Sequence, residues 1–233
     1  MNARTIFVTG TDTEIGKTHI CCALLRQLRA AGHTACGYKP VASGCEQTPQ
    51  GLRNDDALAL QRAAAGKLTY AQINPYAFAP AIAPHLAAKA AALRIKTTVL
   101  DEAHARLVQA HDIVVIEGAG GWLVPLNDDI SFAGWVAQHD WPVLLVVGMR
   151  LGCINHALLS AESIQRRTRL LGWVANVLPP EMPELHGNIE SLKQRMPAPL
   201  LGVMPAGADA PLDLSLLLSR SRELPETPDA EAP

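Results

Sequence analysis

Short apolar runs alternate along this chain with longer stretches in which apolar residues recur every three or four positions. The runs at 5–9, 34–38, 113–116, 143–147, 173–177 and 200–204 are rich in β-branched residues and predict strands. Helical spacing fills the intervals at 17–31, 55–64, 98–110, 132–139, 155–171 and 184–195. Strands of this kind alternating with helices predict a single α/β domain, a mostly parallel sheet covered by helices on both faces. In such a sheet ligands bind at the carboxyl ends of the strands, so the loops directly after strands are where chemistry is expected. The alanine-rich part 79–92 reads as an ordinary loop and short helix. From Ser219 onward prolines and polar residues replace the apolar pattern, which predicts a flexible tail at 219–233 and a domain at 1–218.

Composition narrows the partners. Apolar residues make up 48% of the 233 and charged residues 18%, as in a compact enzyme. A net charge of −2 gives no general attraction to nucleic acid or an acidic membrane. The basic cluster Arg166, Arg167 and Arg169 falls late in a helical stretch, where cations favour the helix end. No apolar run approaches the roughly 18 residues of a membrane span, and the first ten residues lead straight into a strand. Five cysteines without a Cys-x-x-Cys pair suggest neither a disulfide framework nor a zinc site, and reduced thiols in a cytoplasm are expected.

The strongest chemical signal follows the first strand. Gly10-Thr-Asp-Thr-Glu-Ile-Gly-Lys-Thr18 leads into a helical run, the order of strand, glycine loop, Lys-Thr and helix that a phosphate cradle requires. A glycine at 16 lets the backbone approach phosphates, and amides entering the helix point at them with the positive end of its dipole. Lys17 supplies a cation for the β- and γ-phosphates, and the Thr18 hydroxyl can ligate magnesium. Five residues separate Gly10 from Gly16, rather than the general four.

Two further strand ends carry candidates. The strand before Glu117 ends on that carboxylate and a turn containing Gly118, Ala119 and Gly120. Glu117 there can ligate a metal from rigid scaffold, and the small residues let amides approach a γ-phosphate; capping or pairing with a lysine is the plainer alternative. Lys39, after the second strand, can neutralise charge developing on a transferred phosphoryl or a carboxylated substrate, with Ser43 a neutral hydrogen-bonding group nearby. In Leu52-Arg-Asn-Asp-Asp-Ala-Leu58 the carboxylates stand at a helix start, so Asn54 or Asp55 can cap it, while Asp56 could instead turn toward magnesium.

The phosphate loop, including its five-residue spacing, closely resembles that of dethiobiotin synthetases. Gly37–Gly44, Leu52–Leu58, Glu117–Trp122, Leu151–His156, Gly172–Asn176 and Pro197–Gly202 resemble the same family in the same order, covering 5–205. The resemblance implies a homodimer that uses ATP, Mg2+ and CO2 to close 7,8-diaminopelargonate into the cyclic urea of dethiobiotin. It implies that Thr13, Glu14, Ile15, Gly16, Lys17, Thr18 and His19, with Gly118–Gly120, line the nucleotide, and that Thr18, Asp56 and Glu117 hold Mg2+. Lys39 and Lys17 become the catalytic lysines and Ser43 faces the substrate. Asn176 and Val177 are expected at the adenine, with Pro205, Ala206 and Gly207. Gly152, Cys153, Ile154 and Asn155, supplied by the partner subunit, are expected at the substrate carboxylate.

Two departures stand out. The stretch 186–190, where family members can place a tyrosine near that carboxylate, has none, and Ala206–Pro211 replaces the family's adenine-side segment.

Two other readings compete. Cobyrinate-amidating synthetases share this type of phosphate loop but carry a glutamine-using domain for which there is no room. Nucleotide-switched partitioning ATPases place an extra lysine early in the loop, and residues 11–15 contain none.

Overall fold

A computed structural model of the chain describes residues 4–221. In chain order the elements are β1 (Arg4–Gly10), α1 (Lys17–Ala30), β2 (Ala35–Tyr38), β3 (Val41–Ala42), β4 (Glu46–Thr48), β5 (Gly51–Arg53), α2 (Asp55–Ala63) and α3 (Tyr70–Ile73). There follow β6 (Tyr76–Ala77), α4 (Pro84–Ala90), α5 (Thr97–Ala110), β7 (Ile113–Glu117), α6 (Phe132–Gln138) and β8 (Val143–Met149). The last are α7 (Cys153–Gln165), β9 (Leu170–Val177), α8 (Leu185–Arg195), β10 (Leu200–Met204) and α9 (Leu214–Arg220).

Six strands form one parallel sheet in the order β10-β9-β8-β1-β7-β2, as the alternating pattern predicts. Because successive side chains point to opposite faces, each strand feeds two cores. Ile6 and Val8 of β1, Val115 of β7 and Val146 of β8 pack under α1, α2 and α9, through residues such as Leu24, Leu60 and Leu217. Phe7, Ile116 and Val147 face the other way, onto Leu107 of α5, Trp135 of α6, Ala157 of α7 and Leu192 of α8. Burial on both faces explains why these strands read as continuous apolar runs rather than alternating ones.

The sheet order places the functional loops. β1 is flanked by β7 on one side and β8 on the other, so the loop leaving Gly10 opens where the strand order reverses. The β2–β7 register sets Tyr38 against Ile116, which makes Lys39 and Glu117 the next rung.

One boundary departs from the sequence reading. The helix expected over 155–171 stops at Gln165, and Leu170 and Leu171 belong to β9. Thr168 donates from Oγ1 to the Trp141 carbonyl and the Arg169 carbonyl accepts from the Val143 amide, so this turn is committed to the sheet. Of the arginine cluster, Arg166 pairs with Glu162 and Arg167 donates to the Ser163 carbonyl, both at the helix end, while Arg169 donates to the Arg220 carbonyl. The five described cysteines are free and buried. The final helix runs through Arg220, and residues 222–233 of the expected tail lie outside the described residues.

Candidate active site

The phosphate loop is tied down at three points. Gly16, at φ 85°, takes a left-handed conformation that favours glycine, and it precedes the first turn of α1. A Cβ at position 16 would lie 2.2 Å from Asn176 Nδ2, so the tip of β9 closes directly on the loop. That same amide donates to the Ile15 carbonyl at 2.8 Å. Glu14 is a non-glycine residue at φ 58°, a sparsely populated conformation that the surrounding loop must hold. Lys17 donates from Nζ to the Asp12 carbonyl at 2.7 Å, which folds its ammonium back over the loop.

Behind the loop lies a buried ionic cluster. Lys39 donates from Nζ to Glu117 Oε1 at 2.6 Å and to Asp56 Oδ2 at 2.8 Å, and Thr18 Oγ1 donates to the same Glu117 oxygen at 2.8 Å. Glu117 is fully buried and Lys39 is 3% exposed. Burial pulls the Lys39 pKa down, but the carboxylates of Glu117 and Asp56 outweigh it and hold the ammonium above its ordinary pKa. For Asp56 burial pushes upward, and Lys39 prevails to hold the carboxyl below its usual range. Lys17 goes the other way, down to about 8, because burial and the neighbouring Lys39 charge together exceed the pull of Glu117 and Asp56.

These residues fit a magnesium ion. Glu117 Oε2 is buried with no hydrogen-bond partner, leaving its lone pairs open beside a hydroxyl and a second carboxylate. Oxygen-only donors of this kind suit Mg2+, which takes one or two carboxylates and completes its shell with water and substrate phosphates. No group of three or more His, Cys, Asp or Glu residues with metal-holding placement occurs among the described residues.

Eleven of the expected residues converge. Thr13, Glu14, Gly16, Lys17, Thr18, Lys39, Ser43, Asp56, Glu117, Ala119 and Gly120 line one cavity of about 840 Å3. Ile15 is buried beneath the loop, its side chain against Gly10 and Gly148, and Gly118 backs onto Phe7, where a Cβ would come within 2.9 Å. His19 faces an adjoining groove between α1 and α2. Asn176 and Val177 end β9, and Pro205, Ala206 and Gly207 form the exposed turn after β10, which starts beside Asn176 through the Met204–Asn176 register. Gly152, Cys153, Ile154 and Asn155 open α7 and do not line this cavity; Cys153 is buried and the preceding Leu151 is 95% exposed.

Asn54 settles the cap. Its Oδ1 accepts from the Asp56 and Ala57 amides, which leaves the Asp56 carboxylate free to meet Lys39. Sequence reasoning missed one wall: Ala81, Ile82, Ala83 and Pro84 line the cavity opposite the phosphate loop, with Gly44 against Ala81. The signal there was weak, an alanine-rich stretch without charge, although Gly44 is tied to it by an amide hydrogen bond to the Pro80 carbonyl.

Known proteins bear on this geometry. The model of a family described as an AAA domain matches residues 4–210. ATP-dependent dethiobiotin synthetase BioD 1 of Escherichia coli (strain K12) is 50% identical over 206 residues, covering 88% of this chain and 92% of the relative. ATP-dependent dethiobiotin synthetase BioD of Pseudomonas aeruginosa (strain UCBPP-PA14) is 53% identical over 201 residues, 85% of this chain and 88% of the relative. The structure of a ParA family ATPase from Chlorobium tepidum TLS superposes with a TM-score of 0.53 over 95% of this chain and 90% of that one, at 13% identity, a likeness of fold alone. On the identity and coverage of those relatives, the chain belongs to the dethiobiotin synthetase family.

Proposed function

We infer that the protein closes 7,8-diaminopelargonate into dethiobiotin with ATP and CO2, a ligase step of biotin biosynthesis. The observation that carries this reading is the Lys39–Glu117–Asp56 cluster opening onto the same cavity as the phosphate loop. It puts a fixed positive charge where phosphoryl transfer to an anionic acceptor needs one.

The chemistry asks little covalent work of the protein. One substrate amine adds to CO2 as a carbamate and loses a proton. A carbamate oxygen then takes the γ-phosphoryl group, the bond to ADP breaking, and the second amine attacks the carbonyl carbon, expelling phosphate and a proton. Positioning and charge stabilisation therefore dominate. Lys17 and the amides of Glu14 to Thr18 hold the β- and γ-phosphates, and Lys39 faces the carbamate and the transferred group, with Ser43 beside the substrate. Thr18, Asp56 and Glu117 would hold Mg2+, which would supply charge neutralisation for the phosphates. Asn176 and Val177 approach the adenine with the turn at Pro205 to Gly207, and His19 and Gly118 to Gly120 border the nucleotide.

Gly152 to Asn155 open a helix whose amino end suits a carboxylate. Their absence from this chain's own cavity, with Leu151 exposed beside them, supports a homodimer in which each subunit completes the other's substrate site. No helix among the described residues is long and apolar enough to cross a membrane, and we place the enzyme in the cytoplasm. Incubation of the purified protein with diaminopelargonate, bicarbonate and MgATP should yield dethiobiotin by mass spectrometry. ATP turnover without that product would overturn the reading.

A further inference from the structure

The segment Ala206–Pro211 is fastened to the middle of α1. Arg26 grips Asp209 with both ends of its guanidinium: Nε to Oδ2 at 3.0 Å, and Nη2 to Oδ1 at 2.9 Å and to Oδ2 at 2.6 Å. The neighbouring Gln27 donates to the Ala210 carbonyl at 2.9 Å and accepts from the Leu212 amide at 2.8 Å, reading the loop backbone in both directions. His19 Nε2 lies 3.1 Å from the Ala208 carbonyl, one turn from the phosphate loop. Two sequential residues of one helix thus hold the far side of a turn whose near side begins next to Asn176, and Asn176 itself touches Gly16.

We propose that Arg26, Gln27 and Asp209 are positioning residues for the nucleoside end of the ATP site. They fix the 205–212 loop on the same helix that starts the phosphate loop, so that base platform and phosphate cradle form one rigid frame. The inference rests on the proposed use of ATP at this site. An unanchored loop of this length would have to be ordered when the nucleotide binds, and an anchored one is ordered beforehand. Arg26 and Asp209 are both about half exposed, so the pair by itself contributes modestly, while the Gln27 bridge is more sheltered.

The test compares ADP with tripolyphosphate, which lacks ribose and base, by calorimetry on Arg26→Met, Asp209→Asn, the double variant and Gln27→Leu. The frame predicts ADP affinity about three- to fivefold weaker in either single charge variant, the range of a half-exposed pair, and no weaker in the double. Gln27→Leu should cost about tenfold, as two hydrogen bonds to backbone are lost. Tripolyphosphate affinity should not move, and the KM for ATP should rise at unchanged kcat. Unchanged ADP affinity, equal losses for ADP and tripolyphosphate, or additive losses in the double variant would each overturn the inference. If the wild-type protein forms dethiobiotin while these variants bind ADP normally, only this inference fails; if it forms none, the functional reading fails first.

Discussion

Lys39 and Glu117 meet at 2.6 Å with almost no water around either, at the tips of two adjacent parallel strands. A buried pair of this kind is weak evidence for stability, because desolvation offsets much of the attraction. We propose instead that it holds a charged lysine in the wall of the cavity beside the phosphate loop. Burial works against the charge, and Glu117, joined by the second carboxylate Asp56, holds the ammonium above its ordinary pKa.

Removing only the lysine should therefore have two separable effects. In Lys39→Met, ring closure should fall by at least about a hundredfold, the scale on which lost transition-state charge stabilisation acts. ADP binding should stay within about threefold of wild type. The fold should lose about 3–5 kcal/mol, because Glu117 is left buried without a counter-charge. Chemical denaturation reads this loss, and the double variant Lys39→Met with Glu117→Gln should recover most of it. Near-normal turnover in Lys39→Met would show that the role is misassigned.

Lys17 should behave differently. Its ammonium already points back over the loop at the Asp12 carbonyl, on the side proposed for the phosphates. Lys17→Ala should weaken ADP binding and turnover together, whereas Lys39→Met lowers turnover alone. Calorimetry with ADP separates the two variants, and unchanged ADP affinity in Lys17→Ala would count against the cradle.

His104 provides a pH test away from the site. Its Nε2 lies 2.8 Å from Thr5 Oγ1 and its ring lies against Trp141, and burial, then the nearby His139, bring its pKa down to about 4. The unfolded chain, near 6.5, binds the proton first as pH falls. Stability from this group is thus complete above about pH 6.5 and drains away between about 6.5 and 4, on the order of 2–3 kcal/mol. Urea denaturation at pH 7.5 and 5 should show this slope in wild type and a shallower one in His104→Phe. Equal slopes would mean that His104 titrates normally.

The sequence carried the frame of the site because its parts sit on strongly patterned elements. Gly10 to Thr18, Lys39 and Glu117 each follow an apolar run buried on both faces, so strand ends could be located to within a residue or two. Asp56 stayed ambiguous, since capping and metal binding use the same residue types at the same helix start. The structure divides the tasks, giving the cap to Asn54 and turning Asp56 to Lys39. Periodicity failed at Leu170–Leu171, where apolar residues continue the helical spacing of α7 yet open β9, with Leu170 paired to Val143 of β8. The cavity wall at Ala81–Pro84 had no polar or periodic signal at all, and α9 is too short to announce itself beside a proline-rich tail.

In the proposed reaction this cavity transfers a phosphoryl group to a carbamate. If so, an oxygen that enters with CO2 must leave on phosphate, because the carbon–oxygen bond breaks when the second amine closes the ring. A short reaction with 18O-bicarbonate in unlabelled water, analysed by mass spectrometry, should release phosphate carrying one 18O for each dethiobiotin formed. Unlabelled phosphate alongside dethiobiotin would contradict the mechanism assigned to Lys39 and its neighbours.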